Sequence, residues 1–197
     1  MSEQTVHAPF GPLPTGGTVR PVTRWGAPVM HRAQEPVTTY GDDLRSLVAD
    51  MVATMYAADG VGLAACQIGV DRAVFVFDCP DADGDHTVGV VCNPAVTTPE
   101  GPERKLDVAD EGCLSFPGAF MPLARPDTAR VTGWGLDGEP VEFSGDGLLA
   151  RCLQHETDHC EGRVFGDRLN RRSMKKLSKQ HDDAAEEYPP GWPATSA

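Results

Sequence analysis

Apolar residues recur at Leu44, Leu47, Val48, Met51 and Met55, the spacing of one helix face. Gly41-Asp42-Asp43 opens this helix with an aspartate placed to cap it, and Gly60 ends it. Ala73 to Phe77 is a continuous β-branched and aromatic run, the pattern of a strand buried on both faces. Val88 to Val91 reads as a second strand, beyond the acidic loop Asp81 to Asp85. Thr128 to Phe143 reads as a hairpin: Val131 and Trp134 precede Asp137-Gly138, and Val141 and Phe143 follow it. A second helix starts near Gly145-Asp146 and runs through Leu148, Leu149, Cys152 and Leu153 to about Cys160. A third covers roughly Asn170 to Gln180. Strands in the middle and helices at either end predict an α+β fold rather than alternating βαβ units.

The chain's 197 residues fit one domain. Residues 1–20 are rich in Pro, Gly and Thr and read as a flexible leader. Residues 21–181 form the domain, and the acidic, then Pro-rich stretch 182–197 reads as a loose tail. No apolar run is long enough to span a membrane, and the polar start Met1-Ser2-Glu3-Gln4-Thr5 lacks the core of a secretory signal. A cytoplasmic protein with no membrane partner is expected. A net charge of −12 makes the chain a poor general binder of nucleic acid, and no DNA partner is expected. The six cysteines, Cys66, Cys79, Cys92, Cys113, Cys152 and Cys160, form no C-x-x-C pair. In a chain of this length without a signal most of them read as reduced, buried small hydrophobes.

The strongest chemical signal is His155-Glu156-Thr157-Asp158-His159. Positions i and i+4 share one helix face, so both imidazoles can bind one metal ion. Glu156, beside the first histidine, lies close to such an ion without being a ligand, as a general base should. A catalytic site needs a third protein ligand and an open position. The candidates are Cys113, Cys152, Cys160 and the remaining acids or histidines. Three ligands over two turns of one straight helix rarely converge, which favours packing beside the site for Cys152. Cys160 points about 100° away from His159. Cys113 sits in the short loop Glu111-Gly112-Cys113-Leu114-Ser115 and can approach from a distant segment.

Gly60-Val61-Gly62-Leu63-Ala64-Ala65 fits a loose dinucleotide fingerprint, but it follows a helix and precedes a strand, the wrong order for that fold. No Gly-Lys-Ser/Thr follows, so it is no P-loop either. These glycines instead allow a backbone to come close to a ligand. Gln67 closes the segment with a neutral donor amide that can serve an oxyanion.

Taken together, three segments resemble the peptide deformylase family. Gly60 to Gln67 is similar to its glycine-x-glycine-leucine-alanine-alanine-x-glutamine motif. Glu111-Gly112-Cys113-Leu114-Ser115 resembles its second motif, and Gln154-His155-Glu156-Thr157-Asp158-His159 its glutamine-histidine-glutamate-x-x-histidine motif. The likeness extends over roughly residues 20–170. Cys66 occupies a variable slot of the first motif, Cys160 stands where a leucine is common, and Phe120 stands where many bacterial members carry an arginine.

The resemblance implies antiparallel strands around a central helix that carries the His-Glu-x-x-His motif, with a C-terminal helix. It implies removal of the N-formyl group from nascent polypeptides that begin with formylmethionine, releasing formate. It makes Cys113 the third ligand beside His155 and His159, around one divalent ion, with iron(II) expected and zinc possible. Glu156 is then the base, and the Gln67 side chain and Leu114 backbone N–H hold the oxyanion. Gly60, Val61, Gly62, Glu111 and Gly112 then line the substrate. The competing readings are a zinc peptidase, with Glu161 or Asp167 as third ligand, and a structural zinc or ribosome-associated binding module.

Arg168 to Lys179 holds six of the chain's 17 basic residues and no acid. A solvated helix face explains such a cluster. The alternative is contact with ribosomal RNA, which resembles the use of the C-terminal helix in some bacterial members of the family. Leu169, Met174 and Leu177 would pack inward.

Overall fold

The computed structural model describes residues 13–193. The first helix, α1 (Asp42–Ala57), buries Leu44, Val48, Met51 and Met55 of the stripe read from the sequence, together with Val52, while Leu47 is only partly buried. Strands β1 (Gly62–Ala64), β2 (Val74–Pro80) and β3 (His86–Thr97) follow. After a hairpin of β4 (Leu106–Gly112) and β5 (Phe120–Pro126) come β6 (Thr128–Trp134) and β7 (Pro140–Asp146). Helix α2 (Gly147–Cys160) and helix α3 (Arg171–Asp183) complete the order. One antiparallel sheet runs β1-β2-β3-β6-β7, and β4-β5 form a second, two-stranded sheet. The α+β arrangement, with the motif helix against antiparallel strands and a helix near the C-terminus, is as expected.

Strand β2 shows why the apolar run is continuous. Phe75 and Phe77 point to the α2 side, into a cluster with Val131, Phe143 and Leu153. Val74 and Val76 point to the α1 side, among Val48, Met51 and Met55. Both faces of the strand are covered, so no alternation is needed. Phe77 meets Phe143 edge to face at 5.0 Å. A third cluster, Phe116, Met121, Leu123, Phe165 and Leu177, seats α3 on the β4-β5 hairpin, with Leu169 and Met174 packed against it.

The boundaries moved where pairing or side-chain partners override local pattern. Strand β3 is far longer than Val88–Val91, because Val74 to Pro80 pair with it in unbroken register. No strand was expected at β4 or β5, and Glu111 and Gly112, read as the start of a loop, instead end β4 through their pairing with Met121 and Phe120. The hairpin's outward positions include Leu106 and Val108, 52% and 65% exposed, while Glu111 and Arg125 are buried. The hydrophobic alternation is thus inverted along β4, while on β5 Arg125 takes a core-facing position after Met121 and Leu123. A flexible leader over 1–20 and a flexible tail over 182–197 were expected, and only parts of both are described. Residues 1–12 of the leader and 194–197 of the tail lie outside the described residues. Residues 13–20 run along α1: Thr18 N donates to Asp50 Oδ1 (2.7 Å) and Arg20 N to Thr54 Oγ1 (2.9 Å). Helix α3 continues to Asp183, and Val22 N donates to Trp192 O at 2.8 Å, tying the following segment to the body.

Candidate metal centre

The middle of α2 buries every residue from Ala150 to Cys160, charged ones included. Such burial requires partners, and β4 and β5 supply them. The Glu111 carboxylate accepts from Arg125 Nε (2.7 Å) and Nη2 (2.6 Å), and from Arg151 Nη1 (2.9 Å). Its Oε1 also lies 2.8 Å from His155 Nδ1. Arg125 Nη1 reaches Asp158 Oδ2 at 3.0 Å, and Arg168 pairs with the same aspartate. Although burial alone would raise the Glu111 pKa, Arg125 and His155 hold it well below the usual carboxylate range. An ionised Glu111 fixes a proton on Nδ1 of His155 and leaves Nε2 free to bind a metal ion, the usual support of a metal-binding histidine.

The candidate ligand atoms converge. His155 Nε2 lies 3.2 Å from His159 Nε2, and Cys113 Sγ lies 3.3 Å from the same nitrogen. All three are within 4.8 Å of one another and buried. A tetrahedral ion with ordinary metal–nitrogen and metal–sulfur bonds separates its ligands by roughly 3.3–3.6 Å, so the donor set fits one. Burial disfavours charge on His155, but Cys113 and Glu111 overrule it and push its pKa well up. Burial and the neighbouring His155 hold His159 well down. A cation between them would take the place of the proton.

The other motif residues gather around this cluster. Gln67 is buried; its Oε1 accepts from Ala64 N (2.9 Å), which turns Nε2 toward Cys113 Sγ (3.6 Å) and Ser115 Oγ (3.3 Å). Gly62 passes so close to the Glu156 carboxylate that a Cβ there would lie 2.6 Å from Oε1. Gly60 stands likewise against Leu114, with a Cβ falling 2.7 Å from Cδ1. Glu156 is buried, and its Oε2 has no hydrogen-bond partner in the protein. Burial, aided by Glu111 and Asp158 and opposed by His155 and Arg125, pushes its carboxyl up to about 7. A group poised near neutrality can both take and return a proton.

A cavity of about 490 Å³ opens above these groups. Gly60, Val61, Gly62, Gln67, Gly112 and Leu114 line it together with Glu111, Cys113, His155 and Glu156. His159 lies beneath, fully buried. Cys152 lines the cavity beside the cluster, with its thiol directed to Val61 O, and is not among the converging ligand atoms. Glu161 is half exposed and paired with Arg163, and Asp167 accepts from Val164 N, so neither acid approaches the histidines. All six cysteines are buried and unbridged, as expected. Arg125, Arg151 and Asp158 were missed by motif reading. One signal was available: Arg125 alternates in phase with the buried Met121 and Leu123, and an arginine on a core-facing register implies a buried acid.

The family model for polypeptide deformylases matches residues 19–175. The chain belongs to this family. It is 51% identical over 173 residues to peptide deformylase 1 of Streptomyces avermitilis, covering 88% of this chain and 80% of that one. It is 50% identical over 175 residues to the peptide deformylase of Mycolicibacterium vanbaalenii, covering 83% and 89%. Among solved structures, a peptide deformylase from Legionella pneumophila superposes with a TM-score of 0.75 at 36% identity, covering 84% of this chain and 94% of that one. One from Synechococcus elongatus, in complex with actinonin, gives 0.73 at 34%, covering 86% and 89%. Peptide deformylases are metalloenzymes, and Cys113, His155 and His159 are the cluster among the described residues suited to an ion.

Proposed function

We propose how this chain carries out its family's reaction, the hydrolytic removal of the N-formyl group from the formylmethionine of nascent polypeptides with release of formate. Cys113, His155 and His159 would hold one divalent ion. When bound, the ion supplies Lewis acidity and lowers the pKa of a water molecule toward neutrality. Glu156 takes the proton of the attacking water through its unpartnered Oε2 and later hands it to the departing amine. The Gln67 amide, already turned toward Cys113, and the Leu114 backbone N–H face the developing oxyanion. One such donor is worth on the order of 3 kcal/mol of barrier. The backbones of Gly60, Val61, Gly62 and Gly112 line the peptide's path, whereas the Glu111 carboxylate serves the site by orienting His155.

One observation carries this reading: three ligand atoms converge beside a buried carboxylate oxygen that no protein group answers. The test is formate release from a formyl-Met tripeptide by the purified chain. Activity should vanish with a chelator and return with metal. Formate release that survives complete metal removal would overturn it.

Iron(II) is the proposed ion. Cys-His-His suits iron(II) and zinc alike, and iron(II) is the family expectation. The iron form should lose activity in air, while the zinc form should be slower and air-stable. Equal air sensitivity of the two forms counts against this assignment. No helix among the described residues is long and apolar enough to cross a membrane. A cytoplasmic location suits a substrate that emerges from the ribosome. On α3, Arg171, Arg172, Lys175 and Lys176 are exposed and available for ribosomal RNA, whereas Arg168 is engaged by Asp158. Changing Arg172, Lys175 and Lys179 to Ala should reduce ribosome co-sedimentation at low salt and spare turnover of a free tripeptide. Undiminished co-sedimentation leaves a solvated helix face.

A further inference from the structure

The segment after α3 doubles back and becomes part of the cleft. His181 Nδ1 lies 3.0 Å from Pro117 O, and its ring meets Phe116 edge-on at 5.2 Å, which pins the end of α3 to the Phe116–Gly118 turn. The turn is shaped for this. Gly118 has φ +75°, and a Cβ there would lie 2.4 Å from Ala184 Cβ and 3.0 Å from Tyr188 Cε2. Arg24 then clamps the segment. Its Nη2 donates to Tyr188 O (2.7 Å) and Pro189 O (3.3 Å), and its guanidinium lies 5.8 Å from the centre of the Trp192 ring. Tyr188 and Trp192 meet edge to face at 5.0 Å, and both rings line the same cavity as His155 and Glu156. The clamp is continuous with the site: Thr23 N donates to Gln67 O (2.7 Å), and Trp25 N to Ser115 O (3.0 Å).

We propose that Tyr188 and Trp192 form a specificity wall that takes apolar side chains of the substrate residues following formylmethionine, with Arg24 as the residue that positions it. This inference rests on the proposed function. The Tyr188 ring stands against Gly118, beyond the Cys113–Phe116 loop, and Trp192 packs against that ring. They therefore meet parts of the peptide displaced from the reacting carbonyl. Both rings are partly exposed, so they offer apolar surface that an apolar side chain can bury and a glycine cannot.

The experiment compares formyl-Met-Gly-Gly, formyl-Met-Phe-Gly and formyl-Met-Gly-Phe as substrates of the full chain and of Tyr188→Ala, Trp192→Ala and Arg24→Gln. The unaltered chain should prefer a Phe-containing peptide. Each variant should lose about tenfold of that preference, the size of one aromatic contact, mainly through KM. Turnover of formyl-Met-Gly-Gly should stay within about twofold, and Tyr188→Phe should keep the preference. Metal content reports whether each variant has folded. Should an alanine variant not fold, Arg24→Gln, which frees the wall without altering it, carries the same comparison. An equal loss on all three peptides, or an unchanged preference, overturns the wall. Formate release from none of them by the unaltered chain would instead sink the proposed function.

Discussion

Helices α2 and α3 both carry many polar side chains, yet they hold them in opposite ways. From Ala150 to Cys160 helix α2 is wholly buried and includes seven polar or charged residues. Helix α3 buries Leu177 alone among its residues and leaves Arg171, Arg172, Lys175 and Lys176 in water. Polarity along a helix therefore does not decide where it sits; the partners available to each group do. Arg125 and Glu111 reach α2 from the second sheet and answer Arg151, His155 and Asp158. Two buried α2 atoms remain unanswered by the protein, Glu156 Oε2 and His159 Nδ1. The first faces the chemistry proposed here. In α2, one substitution should propagate through every partner, while in α3 it should remain local.

The comparison can be broken at its strongest point first. Cys113→Ser should weaken metal binding by more than about 100-fold, beyond what an outer partner gives, while Cys152→Ser should leave it nearly unchanged. Metal titration of both variants decides this, and the reverse result would remove Cys113 from the site. Next, Glu111→Ala leaves Arg125, Arg151 and the Nδ1 of His155 without their shared acceptor. It should cost about 3–5 kcal/mol in denaturant unfolding and about 10–100-fold in metal affinity. Retention of both would mean that the buried network does not hold His155.

On α3 the effects should separate. Leu177→Ala opens a hole beside Phe116 and Phe165 and should cost about 2–5 kcal/mol with the metal retained. Replacing Arg172 and Lys175 by Ala should change the unfolding free energy by no more than about 0.5 kcal/mol. A larger loss there would mean that these exposed cations are held by partners as the α2 groups are.

Legibility in the sequence followed the same division. Helix α1, strand β2 and the inward residues of α3 were readable because apolar spacing and burial agree there. The His155–His159 pair and the carboxylate next to it were readable because helix geometry alone places the two imidazoles on one face. The β4-β5 hairpin was not, since exposed Leu106 and Val108 and buried Arg125 and Glu111 reverse the usual pattern. The segment holding Tyr188 and Trp192 was not readable either. Its acidic and proline-rich composition is that of a tail, and Val22 and Arg24, more than 160 positions earlier, help give it a place.

The central claim is that Glu156 moves the proton and does not hold the metal. Its most direct measurement is metal content and formate release on the same preparation of Glu156→Ala. The account predicts a fully loaded site and a rate at least about 100-fold below that of the unaltered chain, the lower range for loss of a general base. An empty site would make Glu156 a ligand or a structural residue, and undiminished formate release would place the base elsewhere.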